Sequence, residues 1–256
     1  MKKVLENNYL YNRSVRIWLN IGLVMLVGQV IIGGITRLTG SGLSITKWEI
    51  ITGTIPPLDQ KDWEEAFDLY KETPQFQKIN SNFDLDDFKF IYFWEYFHRL
   101  WARSLGFIFL IPFLYFVATK KIDRSLIKRL AVVILLTAIT ASAGWIMVAS
   151  GLVNRPWVNA YKLTLHFMLA VLTISAMVWT IANTRLTVDT GSNCRNLVNP
   201  LLVLTFLQLI VAGMMSGMRA GLYYPTWPDM NGAFIPEVLL EPENWSWHNL
   251  TNYDSY

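Results

Sequence analysis

Five apolar runs, each long enough to cross a lipid bilayer, constrain the fold of this chain more than any other feature. They are Ile17–Ile35, Phe90–Ala118, Leu130–Ser150, Tyr161–Ala182 and Asn199–Ser216. About 20 apolar residues in a helix cross the hydrocarbon core, and a helix satisfies its own backbone hydrogen bonds there. The sequence therefore predicts an all-α polytopic membrane protein.

Composition agrees with this fold class. Hydrophobic residues make up 53% of the chain and charged residues only 16%, which is too apolar for an ordinary soluble domain. Eleven Trp and eleven Tyr suit aromatic belts at two membrane interfaces. The net charge of +3 is spread over several loops, which argues against a nucleic-acid partner. A single cysteine, Cys194, excludes a disulfide within the chain.

The distribution of basic residues predicts the orientation in the membrane. The N-terminal tail (1–16) carries four Lys or Arg and the loop 119–129 carries five, whereas 151–160 carries only Arg155 and the stretch after 216 only Arg219. Cytoplasmic loops are enriched in Lys and Arg. We expect a cytoplasmic N-terminus, a long outward loop over 36–89, and a bacterial inner (plasma) membrane, because no transit sequence precedes the first span.

An internal repeat divides the chain. A gapless shift of 179 residues aligns identical residues at two outward turns: Gln29 with Gln208, Ile31 with Ile210, Gly34 with Gly213, Gly42 with Gly221, Leu43 with Leu222, Trp48 with Trp227, Gly53 with Gly232 and Pro57 with Pro236. Such duplication is common in membrane proteins. It predicts an N-terminal four-helix transmembrane bundle (17–182), followed over 183–256 by the first helix of a second, duplicated bundle and its outward loop. We expect the counterparts of spans two to four beyond Tyr256.

Two histidines lie at matched depth in even-numbered spans, which run from outside to inside. His98 lies about eight residues into its span and His166 about five, so both are roughly 8–12 Å below the outer ends of their helices. Two neutral imidazoles on facing helices can hold one haem iron from both sides. A hydrogen-bonded core histidine is the plainer alternative for either residue alone. The third histidine, His248, is interpreted as a solvated loop residue.

Charged residues surround His98. Glu95 lies one turn before it, where the carboxylate could orient the imidazole, accept a proton or position water; an ion pair with Arg99 is the alternative. Arg99 and Arg103, one turn apart, suit haem propionates, although Arg103 could instead extend to lipid headgroups. Arg37, in a Gly- and Ser-rich turn, is a candidate for an anionic group at the membrane surface. The segment Trp63–Tyr70 predicts a short amphipathic helix on the interface.

Several long motifs resemble the haem A synthase family, in its proteobacterial and mitochondrial branch. They are GGITRLTGSGLS (33–44), the run from Trp48 to Pro57, FKFIYFWEYFHRLWARSLGF (88–107), GWIMVASGL (144–152), YKLTLHF (161–167) and PDMNGAFIP (228–236). The resemblance covers essentially the whole chain.

The resemblance implies oxidation of a methyl group of haem O to a formyl group, which gives haem A for terminal oxidases. It assigns His98 and His166 to the iron, Glu95 to catalysis, and a haem b to a second histidine pair in the C-terminal half. It implies haem O, haem A and membrane lipid as partners, with haem O synthase and oxidase assembly factors as further candidates; homo-oligomer formation stays open. Two residues depart from the pattern: Ala102 replaces a glycine, and Lys162 stands where arginine is usual, so a propionate contact there is monodentate.

Three functions are open at this point. The first is a haem-modifying oxidoreductase, and the second is a non-catalytic b-type haem protein, for electron transfer or as a haem carrier, or an inactive fragment of the synthase. The third is a transporter-like bundle without haem.

Overall fold

The computed structural model describes residues 10–46, 55–151, 156–184, 195–235 and 240. These residues form helices joined by turns, with one isolated β-bridge between Met230 and Ala233. The helices are α1 (Arg13–Leu38), α2 (Gln60–Lys71), α3 (Pro74–Lys78), α4 (Leu85–Ala118), α5 (Arg124–Gly151), α6 (Ala160–Ala182), α7 (Arg195–Gly217) and α8 (Ala220–Tyr223).

All five predicted spans are confirmed as helices of membrane-spanning length and hydropathy: α1, α4, α5, α6 and α7. The protein is therefore an all-α, multi-pass membrane protein. Cys194, His248, Trp48, Gly53 and Pro236 lie outside the described residues.

Four of the five helices begin four to six residues before the predicted apolar run, because polar residues at the helix ends continue them beyond the apolar stretch. The outward loop was predicted to begin at Thr36, but α1 continues to Leu38, with the hydroxyls of Thr36 and Thr39 bonded to carbonyls one turn earlier in the same helix. The α4 helix begins five residues before Phe90, at a capping box formed by Asp84 and Asp87. At 34 residues it is about 50 Å long, which is longer than a ~30 Å hydrocarbon core is thick.

Four helices form the predicted N-terminal bundle. The α1 helix packs against α4 and α6, and α6 also packs against α5 and α7. One end of the bundle lies near the start of α1 and the 119–123 turn, and a continuous apolar cluster occupies it. We call this cluster the inner core and the opposite end of the bundle the outer half. The buried members of the inner core are Val15, Trp18, Leu19, Phe109, Phe116, Ile122, Leu126, Leu130, Val133 and Met177.

A second, smaller cluster stabilises the outer end of α4. The predicted amphipathic helix is confirmed and extends over Gln60–Lys71. Its buried residues Phe67 and Tyr70 stack on Phe88 of α4. The apolar face of this helix therefore packs on α4 through these two residues; its position at the membrane interface stays a prediction.

The first helix of the second repeat copy packs closely on the bundle. Gly213 of α7 lies against Thr164, and Gly217 lies against Ala160 at the start of α6. Positions 37 and 216 are equivalent under the 179-residue repeat, and Nη2 of Arg37 donates a 2.7 Å hydrogen bond to the Ser216 carbonyl. The two copies thus meet at equivalent positions.

Candidate functional site

Glu95 lies on the outer half of α4 with only 3% of its surface exposed. One oxygen, Oε2, accepts hydrogen bonds from the Ser44 hydroxyl and the Ile45 backbone N–H, both at 2.8 Å. The other, Oε1, forms an ion pair with Nη2 of Arg99, one helical turn further on. A carboxylate this deeply buried needs such partners, and these three hold its position firmly.

The turn after α1 brings Ser44 and Ile45 to Glu95. Gly40 ends the helix with a φ of +69°, a left-handed conformation that glycine adopts without steric cost. The Ser41 N–H then bonds to the Thr36 carbonyl, which folds the chain back over the bundle. Ser41 and Ser44 are fully buried, so the Gly- and Ser-rich stretch packs over the bundle mouth as its composition predicted.

The helices α2 and α3 cover this turn from outside. The amide of Gln75 donates to the Gly40 carbonyl at 2.8 Å, while its own carbonyl accepts from the Tyr70 hydroxyl. Burial raises the pKa of the Tyr70 hydroxyl to about 12, and the nearby Glu95 carboxylate acts in the same direction. Tyr70 therefore stays a neutral donor at physiological pH, and the hydrogen bonds that cover the turn do not depend on its titration.

His98 lies one turn below Glu95 and faces α1. Its Nε2 lies 2.8 Å from the amide nitrogen of Gln29, which is also 3.3 Å from the His98 carbonyl oxygen. The ring is placed against Gly33, where an added Cβ would come within 3.1 Å of Nε2. Both oxygens of Glu95 bond elsewhere, so in this arrangement Gln29 orients the imidazole.

His166 lies on α6 and is held by the neighbouring helix α5. Its Nδ1 lies 2.9 Å from the backbone carbonyl of Thr140. Because a carbonyl only accepts, Nδ1 carries the proton, and Nε2 keeps a free lone pair. An added Cβ at Gly144 would lie only 2.8 Å from Cε1 of this ring. His98 and His166 thus lie on two separate helices of the same bundle, α4 and α6.

The other predicted cations of the site, Arg37, Arg103 and Lys162, lie on three different helices, α1, α4 and α6. Arg37 donates to the last carbonyls of α7, at Ser216 and Gly217, where a cation also complements the helix dipole. Arg103 lies half-buried one turn below Arg99 on α4, and Lys162 lies half-buried in the first turn of α6. Arg99, the fourth predicted cation, directly contacts Glu95.

A cavity of about 340 Å³ lies beside Ser44, Ile45 and Arg99, the three partners of Glu95. Its polar lining comes from Ser44, Thr46, Asp62, Glu65, Tyr92 and Arg99. Arg99 is the only one of these side chains that is also ion-paired with the buried carboxylate in the described contacts. The cavity therefore reaches the residues that hold Glu95.

Sequence reasoning found the histidines and the charged residues but missed their partners. Gln29 was noticed only as a member of the repeat, although a polar residue within a membrane span is itself a functional signal. The Thr140 carbonyl and the Ile45 N–H are backbone groups, which carry no side-chain signal. Gly144 lies within a motif that the sequence analysis quoted, but its packing role depends on a neighbouring helix.

The chain is similar to curated proteins and to a family profile. Residues 16–255 match the COX15-CtaA family, described as "Cytochrome oxidase assembly protein". A "Heme A synthase" of Nitrosospira multiformis is 42% identical over 94% of this chain and 69% of the relative. Those of Parvibaculum lavamentivorans and Flavobacterium johnsoniae are 43% and 44% identical, over 91% and 90% of this chain and 68% and 69% of theirs. No solved structure matches the chain significantly.

Fold and site define a class: a multi-pass helical membrane protein in which two histidines, a buried glutamate and several cations lie in the outer half of one bundle. The match of residues 16–255 to the family profile identifies the family within this class. The protein belongs to the COX15-CtaA family of cytochrome oxidase assembly proteins.

Proposed function

We propose that the chain oxidises a methyl group of haem O to a formyl group, giving haem A for terminal oxidases. In this proposal His98 and His166 bind the iron of the substrate, and Glu95 is the catalytic carboxylate. The observation that carries the proposal is the presence of two oriented histidines on separate helices of one bundle, with a buried, ion-paired glutamate one turn from His98. The curated relatives that carry the name "Heme A synthase" support it.

The residues present fit a haem. His166 offers Nε2 as the neutral tautomer that iron requires, with its other nitrogen held by a carbonyl in the way typical of metal-binding histidines. Gly33 and Gly144 have no side chains, so the two rings can lie close to the backbones of α1 and α5. Two ligands from separate helices suffice for a haem iron.

The proposed oxidation of the methyl group releases protons, and this determines the role proposed for Glu95. A methyl group and one water would give a formyl group and four protons, while four electrons pass to an oxidant outside the site, for which the proposed haem b would be the carrier. We infer that Glu95 accepts protons from the reacting centre and that the 340 Å³ cavity beside Arg99 admits water and releases protons outward. Arg99 holds the carboxylate in place and is a positioning residue as well as a candidate propionate ligand.

The cations of the outer half are proposed to bind the two propionates of the substrate. Arg103 and Lys162 are half-buried on α4 and α6, the helices that carry the histidines. Arg99 and Arg37 already bond to Glu95 and to the end of α7, so a propionate would share them. Arginine suits this role because its guanidinium binds carboxylates in a bidentate manner.

A haem b is a further proposed cofactor, and we assign it no residue. It would need its own axial ligands, and the described part of the chain contains no histidine besides 98 and 166. We further propose a bacterial inner membrane with the N-terminus cytoplasmic, on the distribution of Lys and Arg. Haem O synthase and oxidase assembly factors are proposed partners.

Glu95→Gln tests the proposal, because glutamine nearly keeps the size of the side chain but does not accept a proton as a base. We expect the chain, expressed in membranes that contain haem O, to yield formyl-bearing haem on extraction. Glu95→Gln should lower that yield at least about 100-fold while haem stays bound. Glu64→Gln, an exposed glutamate on α2, is the matched control and should retain the yield of haem A.

The other outcomes separate the alternatives. Haem that stays bound but unchanged in the wild-type chain would favour a non-catalytic b-type haem protein. An empty bundle would contradict any haem function. Loss of bound haem in Glu95→Gln would make Glu95 a structural residue.

A further inference from the structure

The two histidines of the site are held in different ways, although both belong to the same bundle. His166 is held through Nδ1 by a backbone carbonyl of α5, which leaves Nε2 available. His98 is held through Nε2 by the side chain of Gln29. Since Nε2 is the nitrogen that His166 offers to iron, the equivalent nitrogen of His98 is the one already in use.

The contacts of Gln29 define the direction of this hydrogen bond. The amide nitrogen of Gln29 has two acceptors, Nε2 of His98 at 2.8 Å and the His98 carbonyl oxygen at 3.3 Å. A carbonyl only accepts, so the amide group presents its N–H groups to His98, and Nε2 receives one of them in its lone pair. That lone pair is the one that would bind iron. The amide oxygen of Gln29 is buried and has no hydrogen-bond partner among the described residues.

We propose that Gln29 is a releasable latch on His98, so that the site binds haem in two steps. His166 ligates the iron first, because its Nε2 is free and its ring is already fixed between the Thr140 carbonyl and Gly144. His98 ligates second, after the Gln29 amide leaves Nε2. This inference rests on the proposed function, since it presumes that the pair binds one iron.

The Gln29 amide can leave Nε2 of His98 without a movement of either helix. The Gln29 amide remains next to the His98 carbonyl, so it can give up Nε2 while keeping a second acceptor on the same residue. When the iron leaves, the amide is in place to bond Nε2 again. A site that binds a substrate has to release the product, unlike a site for a resident cofactor, and the returning hydrogen bond offsets part of the lost iron–His98 bond.

Gln29→Leu removes the latch while nearly preserving side-chain volume. In a stopped-flow experiment, ferric protoporphyrin haem is mixed with the purified chain in detergent micelles. The wild type should give a concentration-dependent high-spin spectrum, followed by a slower, concentration-independent change to a low-spin spectrum. Gln29→Leu should accelerate the second phase and tighten haem binding, each about two- to tenfold, the value of one hydrogen bond.

The repeat supplies a matched control. Gln208 occupies the position equivalent to Gln29 and is exposed on α7, so Gln208→Leu should change neither phase. His98→Ala should stop at the high-spin spectrum, and adding Gln29→Leu to it should have no further effect. His166→Ala should remove the first phase.

Three results would overturn the latch. The second phase could be unchanged in Gln29→Leu, or it could be slower with weaker binding, which would make Gln29 a residue that positions His98 for iron. Gln29→Leu could also act equally in the His98→Ala background. A wild-type chain that binds haem without ever giving the low-spin spectrum would overturn the proposed histidine pair and the latch with it, whereas a normal wild type with an unchanged variant overturns the latch alone.

Discussion

The inner and outer halves of the N-terminal bundle differ in what holds their helices together. In the inner core, large apolar side chains from α1, α4, α5 and α6 form one continuous buried cluster. In the outer half, polar side chains join the helices through hydrogen bonds. Gln29 bonds to His98 and Thr36 to the Trp94 carbonyl between α1 and α4, and His166 bonds to the Thr140 carbonyl between α6 and α5. One end of the bundle is thus a fixed core, and the other end is joined by contacts that a ligand can exchange.

The lipid environment affects how each half of the bundle is stabilised. Between helices in lipid, apolar side chains gain little from the hydrophobic effect, so the inner core is stabilised mainly by close packing. Hydrogen bonds between membrane helices contribute about 0.6 kcal/mol on average. Four helices fixed by packing at one end can therefore carry exchangeable polar groups at the other without losing their arrangement.

The largest expected effect follows from a change that affects only the outer half. Gly144→Ala adds a Cβ that would lie 2.8 Å from the His166 ring, so the ring has to move and its bond to the Thr140 carbonyl is strained. We expect haem affinity to fall about 10- to 100-fold, as for other residues that orient metal ligands, with little change in folding. A haem titration measured by absorbance checks this.

Gly106→Ala is the control for this experiment. Gly106 lies within α4, and an added Cβ there meets no atom within 4 Å. Haem affinity should be unchanged. An equal loss of affinity in both variants would show that the effect comes from the helix backbone and not from the position of His166.

An intermediate effect is expected from a change in the inner core. Leu130→Ala removes a fully buried side chain of α5, and we expect the free energy of unfolding to fall by about 2 kcal/mol, the low end for core leucines because lipid solvates the unfolded helices. Leu135→Ala, on the same helix but 60% exposed, should cost much less. Denaturation in mixed detergent micelles measures both. If haem affinity in Leu130→Ala fell as far as it does in Gly144→Ala, the inner core and the outer half would not be separate, and the comparison would be contradicted.

The sequence predicted the spans well because hydropathy over 20 residues is a strong signal. It offered the Glu95–Arg99 pair as an alternative, because residues four apart share a helix face. It did not predict Gln29 as the partner of His98, or Thr140 and Gly144 as those of His166. These contacts join different helices and depend on how each helix is rotated and shifted against its neighbour. Two of them also use a backbone atom or the absence of a side chain, which no residue pattern records.

The smallest expected effect lies at the inner end of the bundle. The Tyr11 hydroxyl bonds to Asp123 and lowers the pKa of that carboxyl below its usual value of 3.8. A lowered pKa stabilises the folded state above pH 3.8, and this contribution is lost as the pH falls below that value. Tyr11→Phe should therefore flatten the decline in melting temperature between about pH 5 and pH 3. An identical decline in both proteins would show that the bond contributes nothing.

The central claim is that His98 and His166 bind the same iron. The most direct measurement is the electron paramagnetic resonance spectrum of the haem-loaded ferric chain, compared with those of His98→Ala and His166→Ala. The account predicts a low-spin signal in the wild type that is replaced by a high-spin signal in each variant. A low-spin signal that persists in either variant would contradict it, since that histidine would then not be a ligand.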